Sequence, residues 1–163
     1  MNPAIAIQVS LKSSRFPLKA LRPLNGNPMI IELIKNLRYM NKLGITIFVC
    51  MPEDNRHKML EDTIYFYSAR DEDFNCHIIK GPLENIAQRM LKIPDKYDTF
   101  IRITGDNPYT NVDVMIELLA LLEELRGGGG AANGVEGGVA DIDSGGSDDL
   151  DQISHRSPAL EVI

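Results

Sequence analysis

Between Ala4 and Leu125, short apolar runs alternate with stretches whose apolar residues recur at helical spacing, and this alternation favours a mostly parallel sheet covered by helices. Ala4 to Val9 reads as the first strand. Asn27-Pro28 reads as a helix start with proline at the first helical position, and Ile30, Leu33, Ile34, Leu37 and Met40 form one apolar stripe before Gly44 ends the helix. Thr46 to Cys50 reads as a second strand. A helix from Asn55 to Tyr67, a short strand at His77 to Lys80 and a helix from Pro82 to Leu91 follow, although the aromatic Ile64-Tyr65-Phe66-Tyr67 segment also fits a strand. Thr99 to Ile103 is the next strand. A last helix from Val112 to Leu125 opens behind Asn111, carries Val114, Ile116, Leu118, Leu119, Leu121 and Leu122 as a broad apolar face, and ends at a glycine run.

Charge divides the chain at about the same place. Residues 1–126 carry 16 basic and 16 acidic side chains, whereas 127–163 carry one basic and seven acidic, so the net charge of −6 belongs to the tail. Nine of the 13 glycines lie there too, and little between Gly127 and Asp151 could form a buried face. The expected organisation is one α/β domain over 1–126 and a Gly/Asp-rich acidic tail over 127–163, flexible or unrelated to the domain. The tail's Asp141, Asp143, Asp148, Asp149 and Asp151 read as a solvated acidic run rather than a metal site.

The same features exclude several classes of function. No run approaches the roughly 18 to 20 apolar residues that span a bilayer, and the N-terminus lacks the basic start and long apolar core of a signal peptide, so a soluble, cytoplasmic chain is expected. Cys50 and Cys76 are too few for a disulfide framework and read as buried free thiols at strand ends. His57, His77 and His155 form no pair at ligand spacing, which leaves them structural or exposed and argues against zinc. A neutral domain without a basic stripe argues against nucleic acid as the partner.

The chemistry-bearing residues lie at strand ends. The first strand empties into a Ser-rich loop, Gln8 to Lys19, in which Ser13 and Ser14 offer hydroxyl donors, Arg15 can fork onto two phosphate oxygens and Lys19 can supply a point charge. This is not the spacing of a P-loop, and by itself it also fits a solvated turn. Gly81 to Asn85 and Gly105 to Pro108 fall just beyond two further strands, and ligands of open α/β sheets bind in that crevice. Each has an ordinary alternative. Gly-Asp-Asn-Pro is turn chemistry in any protein, Arg89 could form a surface bridge to Glu84 or Asp95, and Glu84 could answer a helix dipole.

Read together, these segments resemble a known family. Gln8-x-Ser10-x-x-Ser13-Ser14-Arg15-x-Pro17-x-Lys19 with Pro23-Leu24-Asn25-Gly26-Asn27-Pro28-Met29, then Gly81-Pro82-Leu83-Glu84-Asn85 with Arg89, then Arg102-Ile103-Thr104-Gly105-Asp106-Asn107-Pro108, are similar to the spore-coat-polysaccharide cytidylyltransferase-like family. The keto-deoxy-octulosonate and acylneuraminate cytidylyltransferases are its more distant relatives. The resemblance covers about residues 4 to 125 and implies the N-terminal half of a three-layer, Rossmann-like nucleotide-diphospho-sugar transferase fold. It implies transfer of CMP from CTP to a sugar hydroxyl, with Mg²⁺ as cofactor and a nucleoside triphosphate and a sugar as partners. On this likeness Gln8, Ser10, Ser13 and Ser14 line the triphosphate site with the catalytic charges Arg15 and Lys19. Glu84, Asn85 and Arg89 complete the nucleotide-binding set, the Glu84-Asn85 segment near base and ribose, and Asp106 holds the metal.

Three departures bear on activity. The family usually has arginine at the position of Ser10 and commonly glycine at that of Leu18, and it continues for about as long again with the acceptor-sugar pocket and dimer contacts. The competing expectation is a non-catalytic nucleotide-binding or interaction module that lacks the acceptor half. A missing half would leave an apolar edge and helix face open, so homo-oligomers or poor solubility are expected.

Overall fold

In the computed structural model, residues 1–12 and 16–127 are described, together with the backbone of Glu161–Val162. Ser13, Ser14, Arg15 and the tail's acidic run therefore lie outside the described residues. Strand β1 (Pro3–Gln8) lies at the centre of a five-stranded sheet with β4 (Thr46–Pro52) on one side and β6 (Thr99–Thr104) on the other. Strand β5 (His77–Gly81) extends the sheet beyond β4, and the two-residue β7 (Glu161–Val162) pairs with β6 at Phe100 and Ile101. All four pairings are parallel, as the alternating pattern predicts.

The pleat explains the two cores. Successive side chains of a strand point to opposite faces. Ile5 and Ile7 of β1, Ile47, Val49 and Met51 of β4, and Ile101 and Ile103 of β6 therefore share one face. Against them pack α1 (Met29–Asn36), α2 (Arg38–Lys42), α3 (Lys58–Ser68) and α5 (Val112–Gly127) through Ile30, Leu33, Ile34, Leu37, Met40, Leu60, Ile64, Met115 and Leu119. The opposite face is smaller. Ala4, Ala6, Phe48 and Cys50 pack there with Ile93 and Tyr97, and Met90 of α4 (Ile86–Met90) leans on them. Covering both faces is what all-parallel sheets require.

Local chemistry modifies the expected boundaries. Pro28 is not the first helical residue but the N-cap of α1, with φ −56° and ψ 141°. It belongs to a hairpin of β2 (Pro23–Leu24) and β3 (Asn27–Pro28), whose turn places Asn25 and Gly26 at φ 52° and 84°. The single helix expected up to Gly44 is two, broken at Leu37. Gly44, at φ +80°, provides the left-handed residue that ends the second. The Tyr65-Phe66-Tyr67 aromatics are helical, entered through a 3₁₀ turn η2 (Asn55–His57) capped by Asp54. Helix α4 starts at Ile86 rather than Pro82, because β5 runs on to Gly81 and Asn85 caps the helix by accepting the Gln88 N–H at 2.9 Å.

Helix α5 buries less than its pattern suggests. Asn111 caps it, accepting the N–H groups of Asp113 and Val114, but Met115 and Leu119 are the buried residues, while Val114, Leu121 and Leu125 are exposed. Cys50 lies inside β4 rather than at its end, and Cys76 just precedes β5. Burial pushes both thiols up to about 12. No described helix is long and apolar enough to cross a membrane.

Candidate nucleotide site

The strand order decides where the site lies. From β1 the chain moves outward through β4 to β5 and then returns to place β6 on the other side of β1. The crevice at such a reversal is where open α/β sheets bind ligands. The carboxyl ends of β1 and β6 meet there, Gln8 opposite Thr104, and Gly105 N–H donates to the Gln8 carbonyl at 2.7 Å. Between the two loops is a cavity of about 180 Å³ lined by Gln8, Val9, Ser10, Lys19, Gly105 and Asp106, among others.

Four of the expected residues thus converge. Lys19, opening the 3₁₀ turn η1 (Lys19–Leu21), donates from Nζ to Asp106 Oδ2 at 2.7 Å across the cavity mouth. The two side chains are 40% and 44% exposed, so both can be reached by a ligand. The Lys19 ammonium, helped by the Thr104 hydroxyl, holds the Asp106 carboxyl below its usual 3.8. Asp106 is therefore an anion throughout the neutral range. Gln8 is buried, and both its amide atoms lack a well-formed hydrogen bond among the described residues, with only a weak contact to the Cys50 thiol. Buried side-chain polar atoms ordinarily have a partner, so the Gln8 amide stands out at the end of β1.

Gly105 matters for a steric reason. A Cβ there would lie 2.7 Å from Val9 Cβ and 3.3 Å from the Gln8 carbonyl oxygen, so β1 and β6 can close the cavity floor only with glycine. Gly105→Ala should destabilise the protein by roughly 1–3 kcal/mol, the usual scale of overpacking. A urea midpoint equal to that of the unsubstituted protein would contradict this close approach.

The second expected segment lies two strands away, at the end of β5. Lys12 Nζ reaches Glu84 Oε1 at 3.1 Å and so ties the loop after β1 to this segment, although both side chains are largely exposed. Arg89 does not pair with Glu84. It is buried, and its Nη1 donates to the carbonyls of Pro82 and Leu83 at 2.6 and 3.0 Å, which turns the guanidinium into the protein to shape the Gly81 to Asn85 backbone. Burial lowers its pKa. A Cβ on Gly81 would meet Arg89 Cγ at 2.9 Å, so this packing too depends on glycine.

Of the two readings the sequence left for His57, structural or exposed, the fold makes it structural. It is buried, with Nδ1 2.6 Å from Asp54 Oδ1 and Nε2 accepting the Leu11 N–H at 2.9 Å, directly beneath the loop that leaves β1. Its partner is 46 residues away in the chain, and no local spacing signals it.

Asp54, Asp98 and Asp106 all have lowered pKa values, chiefly through hydrogen bonds from His57, the Asn2 backbone and Lys19 respectively. The stability these groups contribute is complete above their unfolded pKa near 3.8 and is lost as pH falls through the lower folded values. The unfolding midpoint should therefore vary little through these groups above about pH 5 and fall between about pH 4 and 2. Thermal scans across that range check it, and a midpoint unchanged to pH 3 would contradict it.

Among the described residues no three His, Cys, Asp or Glu side chains group to hold a metal. Asp106, a single carboxylate on this cavity, nonetheless suits Mg²⁺, which commonly takes one or two carboxylates and completes its shell with substrate phosphates and water.

Comparison with known proteins bears on the fold as a whole. The spore coat polysaccharide biosynthesis protein SpsF of Bacillus subtilis (strain 168) is 30% identical over 123 residues, which cover 68% of this chain and 47% of that protein. The 8-amino-3,8-dideoxy-manno-octulosonate cytidylyltransferase of Shewanella sp. (strain W3-18-1) is 28% identical over 128 residues, 78% of this chain and 50% of the relative. The chain thus spans about half the length of the curated relatives it matches. Among solved structures, a cytidylyltransferase from Leptospira borgpetersenii serovar Hardjo-bovis (strain JB197) superposes with a TM-score of 0.61 at 20% identity, covering 74% of this chain and 48% of that one. CMP:2-keto-3-deoxy-manno-octonic acid synthetase, complexed with CTP, superposes at 0.60 with 22% identity, covering 76% and 48%. These likenesses establish a shared α/β fold, and because residues 4–126 match the cytidylyltransferase family model, the chain belongs to the cytidylyltransferase family.

Proposed function

We propose that this chain is the nucleotide-binding half of a sugar cytidylyltransferase, which holds CTP for transfer of CMP to a sugar hydroxyl in the synthesis of a surface polysaccharide. The observation that carries the reading is the convergence of Gln8, Ser10, Lys19 and Asp106 on one cavity at the sheet's point of reversal. The triphosphate lies there. Strands in a sheet are about 4.8 Å apart, so the end of β5, two strands from β1, is roughly 10 Å away, a distance that suits the ribose and base beside Glu84 and Asn85.

In the reaction the sugar hydroxyl oxygen attacks the α-phosphorus, the bond from that phosphorus to the β-phosphate oxygen breaks, and CMP-sugar, pyrophosphate and a proton are produced. Negative charge builds on the departing pyrophosphate. Lys19 is placed to leave Asp106 and neutralise it, with Arg15 in the same loop as a second cation, and preorganised charge of this kind is the main catalytic lever in phosphoryl chemistry. Asp106 would hold Mg²⁺, which when bound draws charge from the phosphate oxygens. The buried amide of Gln8 gains a polar partner when the nucleotide enters. The reading carries with it a cytoplasmic setting, a nucleoside triphosphate and a sugar as partners, and no part for nucleic acid or membrane.

One observation favours a second reading. On the family likeness Ser10 stands where arginine is usual, which removes one phosphate contact and leaves a site that binds nucleotide without turnover. Pyrophosphate release from CTP and Mg²⁺ with a panel of acidic and neutral sugars separates the two. Release with one sugar supports transfer by this chain, whereas CTP binding without release from any sugar assigns it to nucleotide holding alone.

A further inference from the structure

His57 stands where η2 passes into α3, with 2% of its surface exposed. Its Nε2 is 2.9 Å from the Leu11 backbone nitrogen, and a backbone N–H can only donate. Nε2 therefore carries no proton. The ring's single proton lies on Nδ1 and points to Asp54 Oδ1 at 2.6 Å. That carboxylate oxygen is itself fixed, since it accepts the N–H groups of Arg56 and His57 at 2.9 and 3.1 Å. On the other side, Ser10 Oγ lies 3.3 Å from Nε2 and accepts the Lys12 N–H at 3.2 Å. Nε2 has one lone pair, taken by the Leu11 N–H, so the Ser10 hydroxyl at 3.3 Å shares it only weakly.

A continuous run of hydrogen bonds thus leads from Asp54 through the imidazole to the backbone of residues 10–12, where the chain leaves β1 for the phosphate loop. Among the described residues the segment is also held by the Val9 N–H, which donates to the Cys50 carbonyl at 3.1 Å, and by the Leu11 side chain, buried in the larger core. The loop's own backbone closure, Leu18 N–H to the Leu11 carbonyl, is long at 3.5 Å, and the Lys12–Glu84 pair is exposed.

We propose that His57 is the positioning residue of the phosphate loop: a neutral imidazole, kept in the Nδ1–H tautomer by Asp54, that anchors Ser10 and Leu11 so that Ser10 faces the nucleotide cavity. The ligand in this inference is that of the nucleotide-binding reading above, whereas the anchor is a property of the free protein.

Two readouts on the full chain test it separately. In ¹⁵N-histidine-labelled protein without ligand, His57 should show a proton-bearing Nδ1 and an unprotonated Nε2, and the opposite tautomer or an imidazolium would overturn the proposal. His57→Gln carries an acceptor oxygen near the place of Nε2, whereas His57→Phe fills the space without one. The glutamine variant should keep slow Leu11 amide exchange and CTP affinity within about threefold, and the phenylalanine variant should lose roughly tenfold in affinity, the effect of one buried donor left unpaired. Folded variants with equal affinity and equal Leu11 exchange would overturn it. If the unsubstituted protein binds no CTP, the nucleotide reading fails, and the tautomer and Leu11 exchange still decide the anchor. If the phenylalanine variant does not fold, the tautomer measurement decides alone.

Discussion

Lys19→Ala is expected to depress CTP-dependent turnover by roughly 10²-fold or more, the scale of removing one preorganised charge stabiliser, and to weaken CTP binding along with it. The free protein should hardly notice the substitution. The Lys19–Asp106 bridge is 2.7 Å long but its partners are 40% and 44% exposed, and pairs of that kind contribute about 0–1 kcal/mol. The combination is diagnostic, because a merely structural lysine would move the unfolding midpoint and leave nucleotide affinity alone. Titration of CTP into the variant measures the effect, and near-normal affinity would remove Lys19 from the phosphate site.

Ile7→Ala should have the largest effect on stability. Ile7 has no exposed surface, lies in the central strand opposite Val49 and Ile103, and packs within the larger core. Truncating such a side chain costs about 2–5 kcal/mol, transfer and cavity together. Domains of this size are stable by roughly 5–15 kcal/mol in all, so a large share is lost. Urea unfolding reports it as a lower midpoint. A loss below about 1 kcal/mol would mean that the core refills the space, contrary to the close packing of β1 between its neighbours.

Much of this was legible in the chain itself, for identifiable reasons. Strand runs such as Ala4 to Val9 are apolar on both faces, a mark of parallel strands, and the Asn85 and Asn111 caps and the Gly44 stop are local signals. The motif segments stood out at strand ends, and the fold carries Gln8, Ser10, Lys19 and Asp106 to one cavity. What escaped depends on contacts distant in sequence. Nothing around His57 shows that it meets Leu11, and nothing around Arg89 shows that its guanidinium turns inward to two carbonyls rather than outward to Glu84. The break at Leu37 has no glycine or proline to announce it. The face of α5 was misjudged because periodicity reveals which residues are apolar but not whether anything covers them, and Val114 and Leu121 are exposed.

The most direct test of the nucleotide site is thermal unfolding of the chain with Mg²⁺ and each of CTP, UTP, GTP and ATP. A ligand that binds only the folded state at about 100 times its Kd stabilises it by ~2.7 kcal/mol, a shift of roughly 5 °C or more for a domain of this size. CTP should produce that shift and the other nucleotides a smaller one. Equal midpoints with and without every nucleotide would contradict the account and leave a family fold whose cavity does not hold its expected ligand.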